Sequence, residues 1–367
     1  LKGNFVRVLV TGHQGYIGAV LVPRLVEARF DVVGVDAGFF RECAYTTNSL
    51  RIPTIAKDIR DITSEDLAGV TAIVHLAGVS FGGDELSARL AYEVNYRGTV
   101  QLASLAKFAG VRQFVCLSNF DGVTTDEHVR NADELFRKDA QTVERYVAQS
   151  VETDLKKLAS AVFAPTFVRC NSVYGFSPML RLDLPLNQIA ASAMLTNEAY
   201  IPADGEWFHP GTHVQDVATA ILTLIGTSPQ TINSRAFNAC DIGGVISCEA
   251  VTEILKEVVP DCQVYLIERG GATTASPQVL NDDVPFFQPR WGVREGLMQL
   301  FEAFITNPLA MEEVMAGRYQ RQEYVYFLMK EGRVDASLRW FDANRPAFPT
   351  LPPLNLTRGQ TTRLLNF

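Results

Sequence analysis

The eight residues TGHQGYIG, positions 11–18, constrain this chain more than any other stretch. They follow the apolar run FVRVLVT (5–11) and lead into GYIGAVLVPRLVEARF, where Ile17, Val20, Leu21, Leu25 and Val26 recur at helical spacing. A buried strand followed at once by a glycine turn and a helix opens a βαβ unit. Each glycine has its own task. Gly12 permits the tight turn, Gly15 lets backbone approach a bound group, and Gly18 lets helix and sheet pack closely. Pro23 lies inside the helix and predicts a mild irregularity there.

The same alternation continues. DVVGVD (31–36), TAIVHLAG (71–78), RQFVCLS (112–118) and AVFAPTFVRC (161–170) read as strands, with helical period over 84–109 and 133–160. This predicts an α/β fold, with a Rossmann-type doubly wound parallel sheet over residues 1–175. Beyond it the pattern loosens into short strands, Pro-containing loops and helices near 182–196, 214–226, 247–258 and 293–305. A smaller, mixed α/β substrate domain is expected over 176–345, with some segments returning to the Rossmann sheet. A chain of 367 residues exceeds what one core usually takes, which agrees with two subdomains. Residues 346–367 carry no period and read as a C-terminal arm or tail.

A helix N-terminus behind a glycine loop faces a pyrophosphate. Asp36 ends the second strand, where a carboxylate accepts hydrogen bonds from an adenosine ribose and repels a 2′-phosphate; this favours NAD, while nearby Arg41 leaves NADP open. In KDIRD, Asp58 and Ile59 stand where a strand end would meet adenine. The net charge of −8 argues against nucleic acid or an anionic membrane as partner. No apolar run approaches the ~20 residues of a membrane span, and the N-terminal run is too short for a signal peptide. None of the six cysteines forms a CxxC pair, so free thiols in a soluble, cytoplasmic protein are expected.

With TGHQGYIG, Asp36, DIRD (58–61), HLAG (75–78), EVNYRGT with Asn95, FVCLSN (114–119) and VRCNSVYG (168–175), the chain resembles the extended short-chain dehydrogenase/reductase family, the NAD-dependent sugar epimerases and dehydratases. SPMLRLDLPLNQI (177–189) and HVQDVATA (213–220) extend the likeness to about residue 305. The resemblance implies NAD contacts from Gly12, Gly15, Tyr16, Ile17, Gly18, Asp36, Asp58, Ile59, Leu76, Ala77, Gly78, Asn95 and Leu117. It implies a sugar-like substrate in a cleft lined by Ser80, Arg181, Asn187 and His209, and a homodimer built on two long helices per subunit. In the family a Tyr phenolate, its pKa lowered by a Lys four residues on, takes a hydroxyl proton, aided by a Ser or Thr at the end of the fifth strand.

That trio is replaced here. The family's Tyr, Lys and a downstream Glu stand at i, i+4 and i+8. Anchoring the Glu on Glu152 of VETDL puts Glu144 at the Tyr position and Ala148 at the Lys position. Tyr146 is two residues off, about 200° around the helix, with Ser150 in place of a Lys partner. Asn119 takes the Ser/Thr position, and Ser118 points elsewhere by strand alternation. His209 takes the place of an Arg that faces a nucleotide phosphate. The catalytic candidates are therefore Asp121, aligned with a dehydratase Glu but also in a DG turn, with Glu144, Asn119 and Tyr146. Tyr326 and Lys330 have the right spacing but lie far along the chain, so they are set aside. His209 and His213 flank Pro210-Gly211 with no third ligand, and no metal is expected. These residues predict an NAD-binding sugar epimerase/dehydratase-like protein with atypical acid–base groups. The alternatives are a pseudoenzyme or regulator with structural NAD, and a non-redox lyase or cyclase.

Overall fold

The structure is a computed structural model that describes residues 6–46, 50–79, 84–119, 140–170, 172–202, 211–239, 247–267, 282–283 and 287–341, with Leu135 and Lys138. The strands in chain order are β1 (Arg7–Thr11), β2 (Asp31–Asp36), β3 (Thr54–Ala56), β4 (Ala72–His75), β5 (Gln113–Asn119) and β6 (Ala164–Cys170). They continue with β7 (Val173–Tyr174), β8 (Glu198–Pro202), β9 (Thr212–His213), β10 (Ala236–Asn238), β11 (Gln263–Ile267) and β12 (Asp282–Asp283). The helices are α1 (Gly18–Glu27), α2 (Glu85–Leu90), α3 (Thr99–Phe108), α4 (Ala140–Leu158), α5 (Pro185–Thr196) and α6 (Val214–Ile225). After them come α7 (Pro229–Ile232), α8 (Cys248–Val258), α9 (Val293–Thr306), α10 (Met311–Met315) and α11 (Arg321–Lys330).

Eight strands make one parallel sheet in the order β12-β10-β6-β5-β4-β1-β2-β3. The chain winds one way from β1 to β3 and the other way from β4 outward. The order therefore reverses between β1 and β4, and the crevice beyond their carboxyl ends, at Thr11 and His75, is where such sheets bind ligands. Strand alternation sorts the core. Val8, Val10, Val74, Val115 and Val168 face α1 and α6, while Leu9, Ile73, Phe114 and Phe167 face α3 and α4. Full burial of a side chain such as Phe114 or Phe167 contributes about 1.5–3 kcal/mol. These strands read as nearly unbroken apolar runs because both faces are covered.

The long helix expected over 84–109 is present, but its middle, Ala91–Gly98, is wound as a π-helix between α2 and α3. Such widened turns gather at functional sites, and Asn95 lies in this one. The helix α1 runs through Pro23 without a break.

In the second half, α6, β10 and β12 return to the main sheet. A separate core gathers Leu186 and Ile189 of α5, Val251 of α8, and Leu297 and Phe301 of α9. The segment from Arg321 to Phe341 touches both halves: Arg321 donates to the Met179 carbonyl at 3.0 Å, while the rest packs largely on the first half. Tyr324, Leu328, Val334 and Leu338 join Cys43, Ile59, Val79 and Leu90 in one buried cluster. The tail 346–367 lies outside the described residues.

Candidate functional site

The loop after β1 is built for close approach. Gly12 adopts φ +68°, and a Cβ there would stand 2.8 Å from the Ala77 nitrogen. A Cβ on Gly18 would meet the Gly12 carbonyl at 2.5 Å. The Gly15 N–H donates to the Gly12 carbonyl at 2.9 Å, which closes the turn. Ile17 stands at the N-cap of α1 without a side-chain cap, and the Ala19 and Val20 N–H groups donate to the Gly15 and Ile17 carbonyls at 2.9 and 3.1 Å, which ties the glycine loop into the positive end of the helix. Tyr16 turns inward: its hydroxyl donates to the Gly175 carbonyl at 2.5 Å and accepts from Asn187 at 3.1 Å. Burial raises its pKa far above the usual phenol value.

At the end of β2, Asp36 accepts from the Gln14 N–H at 3.0 Å and the Gly38 N–H at 2.8 Å. Both bonds fix the carboxylate at the crevice rim. Sequence reading passed over His13, which is buried beneath it. Thr54 spends its hydroxyl proton on the Ile52 carbonyl, so it accepts from the His13 Nε2–H at 3.0 Å. Nδ1 of the neutral ring is then bare, 3.9 Å from the Asp36 carboxylate. Burial holds the His13 pKa below its usual value against the pull of Asp36. Gly34 is what makes room, since a Cβ there would touch the His13 ring at 2.5 Å. Asp58 caps the turn Ile59–Asp61 through the Arg60 N–H and pairs with the Arg60 guanidinium at 2.6 Å.

On the β4 side, Thr11, His75 and Thr99 form a buried chain with both links at 2.8 Å, and Thr11 Oγ1 also accepts from the Ala77 N–H. Burial lowers the His75 pKa to about 4, so it is a neutral bracket. Asn95 clamps Val79, accepting from its N–H at 2.8 Å and donating to its carbonyl at 2.6 Å. The clamp holds the Leu76–Gly78 strand end, and a Cβ on Gly78 would come 3.2 Å from Asn95. Leu76 and Leu117 are partly buried against the sheet core.

The register of α4 rests on Glu152. Its buried carboxylate accepts from Ser118 at 2.8 Å and is gripped by Arg169 of β6 at 2.7 and 2.5 Å. Ser118 therefore points at the helix, as strand alternation requires. Glu144 shares this side of α4 at helical spacing, is half-buried, and lies close enough to Arg181 to support its charge. Tyr146 is turned the other way, against the α3–α4 core and near Tyr96, whose hydroxyl donates to Asp154 at 2.7 Å. The structure thus sets Tyr146 apart from Glu144 around the helix.

Arg181 makes a two-pronged pair with Asp183, at 3.1 and 2.6 Å. Burial works against the Arg181 charge, yet Asp183, Tyr16 and Glu144 together hold its pKa above the usual value. Asn187, expected to face substrate, has a structural position. It is fully buried, accepts from the Gly175 N–H at 2.9 Å and donates to Tyr16 and to the Arg181 carbonyl. His213 accepts from the Gln215 N–H at Nδ1, donates from Nε2 to Gln299 at 3.0 Å and stacks on Trp291, so both ring nitrogens are engaged. Ser80, Asp121 and His209 lie outside the described residues, as does the side chain of Asn119.

A family profile described as the NAD dependent epimerase/dehydratase family matches residues 8–240. The chain belongs to that family. The cofactor of this epimerase/dehydratase family is NAD, and the cradle above suits it: a loop that admits no Cβ, an uncapped helix N-terminus, and a fixed carboxylate for a ribose. UDP-glucose 4-epimerase of Mycolicibacterium smegmatis is 37% identical over 123 residues, covering 31% of this chain and 38% of that protein. The 3-beta-hydroxysteroid dehydrogenase of Mycolicibacterium neoaurum is 24% identical over 243 residues, covering 62% and 65%. The chain thus spans between about a third and two thirds of these first curated relatives. It spans 97% of the Escherichia coli dTDP-glucose 4,6-dehydratase, at 24% identity over 86% of its own length. Among solved structures, TunA, an NAD dependent NDP-hexosamine 5,6-dehydratase involved in tunicamycin biosynthesis, aligns with TM-score 0.63 at 20% identity, covering 82% of this chain and 98% of that one. UDP-glucuronic acid 4-epimerase from Bacillus cereus, solved with NAD, aligns with TM-score 0.62 at 18% identity, covering 83% and 100%. At these identities the likeness shows the fold.

Glu144 and Asp183 both act on the Arg181 charge, which makes a titratable cluster beside the side of α4 that carries Glu152. Tyr326 and Lys330 sit on α11, nearer the first half than their sequence distance suggests, but the Tyr326 hydroxyl is committed to the Asp84 carboxylate. No helix among the described residues is long and apolar enough to cross a membrane.

Proposed function

We propose that this protein interconverts a sugar or polyol-like substrate with NAD as a resident hydride carrier, and that Glu144 replaces the usual Tyr as the proton-accepting group. The observation that carries this reading is the pairing of an intact cofactor cradle with Glu144 on the α4 face anchored by Glu152, beside Arg181. Gly12, Gly15, Gly18 and Asp36 would hold the dinucleotide, which supplies hydride acceptance and return when bound. Glu144 takes the proton from the substrate hydroxyl and gives it back when the hydroxyl re-forms. Arg181 steadies the carboxylate in its charged state, and Asp183 keeps Arg181 in place. Asp121 is the second proton carrier in this scheme, for a proton on carbon. The nucleotide-sugar chemistry of the relatives makes UDP- and dTDP-sugars the first substrates to try.

The test has two parts. Protein as purified is denatured, and the released nucleotide is identified with its oxidation state. Then Glu144→Gln and Asp121→Asn are assayed against the parent with nucleotide sugars, following both sugar product and nicotinamide absorbance. Loss of a positioned general base typically costs about 10²–10⁴ in rate. Unchanged turnover in both variants sinks the assignment. Bound NAD with no hydride transfer to or from any sugar tried would favour a protein in which the cofactor is structural.

A further inference from the structure

The turn that follows α11 ends against the ribose side of the cofactor crevice. Trp340 donates its indole N–H to the Ala37 carbonyl at 2.7 Å, one residue past Asp36. Its ring stacks on Phe39, centres 5.5 Å apart and 20° from parallel, and Arg333 covers it at 5.6 Å. Arg333 is itself tied to both oxygens of Glu42, at 3.0 and 2.9 Å. Next to the indole, Arg339 pairs with Asp61 at 2.5 Å and stands 3.6 Å from Asp58. Arg60 returns a bond to the Ser337 carbonyl at 2.9 Å. A bridge between Val334 and Trp340 and a bond from the Asp335 N–H to the Arg339 carbonyl make the turn compact. Leu338 and Val334 plug it into the cluster that holds Ile59. One short segment thus grips the ends of both β2 and β3, the two strand ends that face an adenosine in this fold.

We propose that residues 333–341 form the outer wall of the adenosine pocket, and that Trp340 is a specificity residue that excludes a 2′-phosphate. This rests on the NAD reading above. A 2′-phosphate must lie just beyond the carboxylate that binds the ribose, against the residues that follow it. Here that ground is taken by the indole, held between Phe39 and Arg333 and bonded to Ala37. The Arg333 charge is spent on Glu42, and Arg41, the cation that left NADP open from sequence, sits on the exposed turn Arg41–Cys43. Asp36 supplies repulsion, and Trp340 supplies the steric barrier. Replacing Asp36 alone would therefore not convert the cofactor preference.

The experiment uses ADP-ribose and 2′-phospho-ADP-ribose as probes, titrated by calorimetry into the full chain, Trp340→Phe and Trp340→Gly. The parent should favour ADP-ribose by about 100-fold or more, the scale of one buried like-charge clash. Trp340→Gly should narrow that preference at least tenfold, mainly through gain for the phosphorylated probe, while Trp340→Phe keeps most of it. Unchanged preference in Trp340→Gly overturns the wall. Failure of the parent to bind either probe overturns the cofactor reading, and the wall with it. Should the glycine variant not fold, tryptic cleavage of the parent after Arg333 and Arg339 decides the matter. ADP-ribose should slow it several-fold and nicotinamide mononucleotide should not; equal effects, or none, refute the proposal.

Discussion

Asn187→Ala tests whether the cofactor loop and the substrate cleft are held by one residue. The Asn187 side chain accepts from the Gly175 N–H at 2.9 Å and donates to the Tyr16 hydroxyl at 3.1 Å and the Arg181 carbonyl at 3.0 Å. Truncation leaves the Gly175 N–H buried without its acceptor, which costs about 1–3 kcal/mol. Tyr16 keeps its own bond to the Gly175 carbonyl, so it loses only an incoming donor. That loss and the one at Arg181 cost about 0.5–1.5 kcal/mol each, and partial relaxation brings the expected total to about 3 kcal/mol. For a chain of 367 residues that corresponds to a fall in melting temperature of roughly 4 °C. Asn187→Asp should not rescue it, because a buried carboxylate keeps an acceptor for Gly175 but turns a second lone pair on the Arg181 carbonyl. Thermal melts followed by circular dichroism read the stability, and calorimetry with ADP-ribose reads the loop. Because Tyr16 belongs to the glycine loop, affinity should fall several-fold with stability. A melt within 1 °C of the parent, with unchanged affinity, would show that these three bonds do not organise the cleft.

Three further outcomes are expected. His75 and His213 are both buried with pKa values lowered to about 4 from 6.5, so each is neutral when folded and takes up a proton on unfolding. Their stabilisation is complete above pH 6.5 and declines as pH falls toward 4, by about 1.4 kcal/mol per unit and per group. Chemical denaturation at pH 7 and pH 5 should therefore differ by about 4 kcal/mol, and His75→Gln should remove about half of that difference. Gly34→Ala should push the His13 ring from beneath Asp36 at a cost of about 1–3 kcal/mol and weaken ADP-ribose binding, read by melts and calorimetry; unchanged binding would mean that the ring does not set the carboxylate. Tyr146→Phe should leave turnover within twofold of the parent while Glu144→Gln abolishes it, and the reverse order would reverse the assigned faces of α4.

The readable parts of this fold are those that repeat locally. Both faces of the sheet are covered, so β1, β2, β4, β5 and β6 stand out as apolar runs. The glycine loop marks which end of the sheet binds, because close approach without a Cβ is a local requirement. The anchor at Glu152 was equally legible, since an eight-residue spacing fixes one face of a helix wherever the helix sits. The Glu152–Arg169 pair and the Ser118 bond place that face against the ends of β5 and β6. The rest depends on contacts between distant segments, which carry no period. His13 carries no signal of its own in the sequence because its partners, Gly34 and Thr54, become neighbours only when β1, β2 and β3 pair. Asn187 looked like a cleft residue, but its three bonds run to Tyr16, Gly175 and Arg181, which only the folded chain brings together. The turn at Trp340 meets Ala37 across 303 positions and has no local signature beyond its aromatic and basic residues. The same logic bears on function. Local pattern locates the cofactor, because phosphate and ribose binding reuse backbone geometry, while proton transfer needs single side chains brought from separate elements. Glu144 of α4 and Arg181 of the following half, the pair proposed for that role, come from separate elements. The exchange of Glu144→Gln against Tyr146→Phe is therefore the measurement that decides whether proton transfer in this chain runs through the α4 face that carries Glu152.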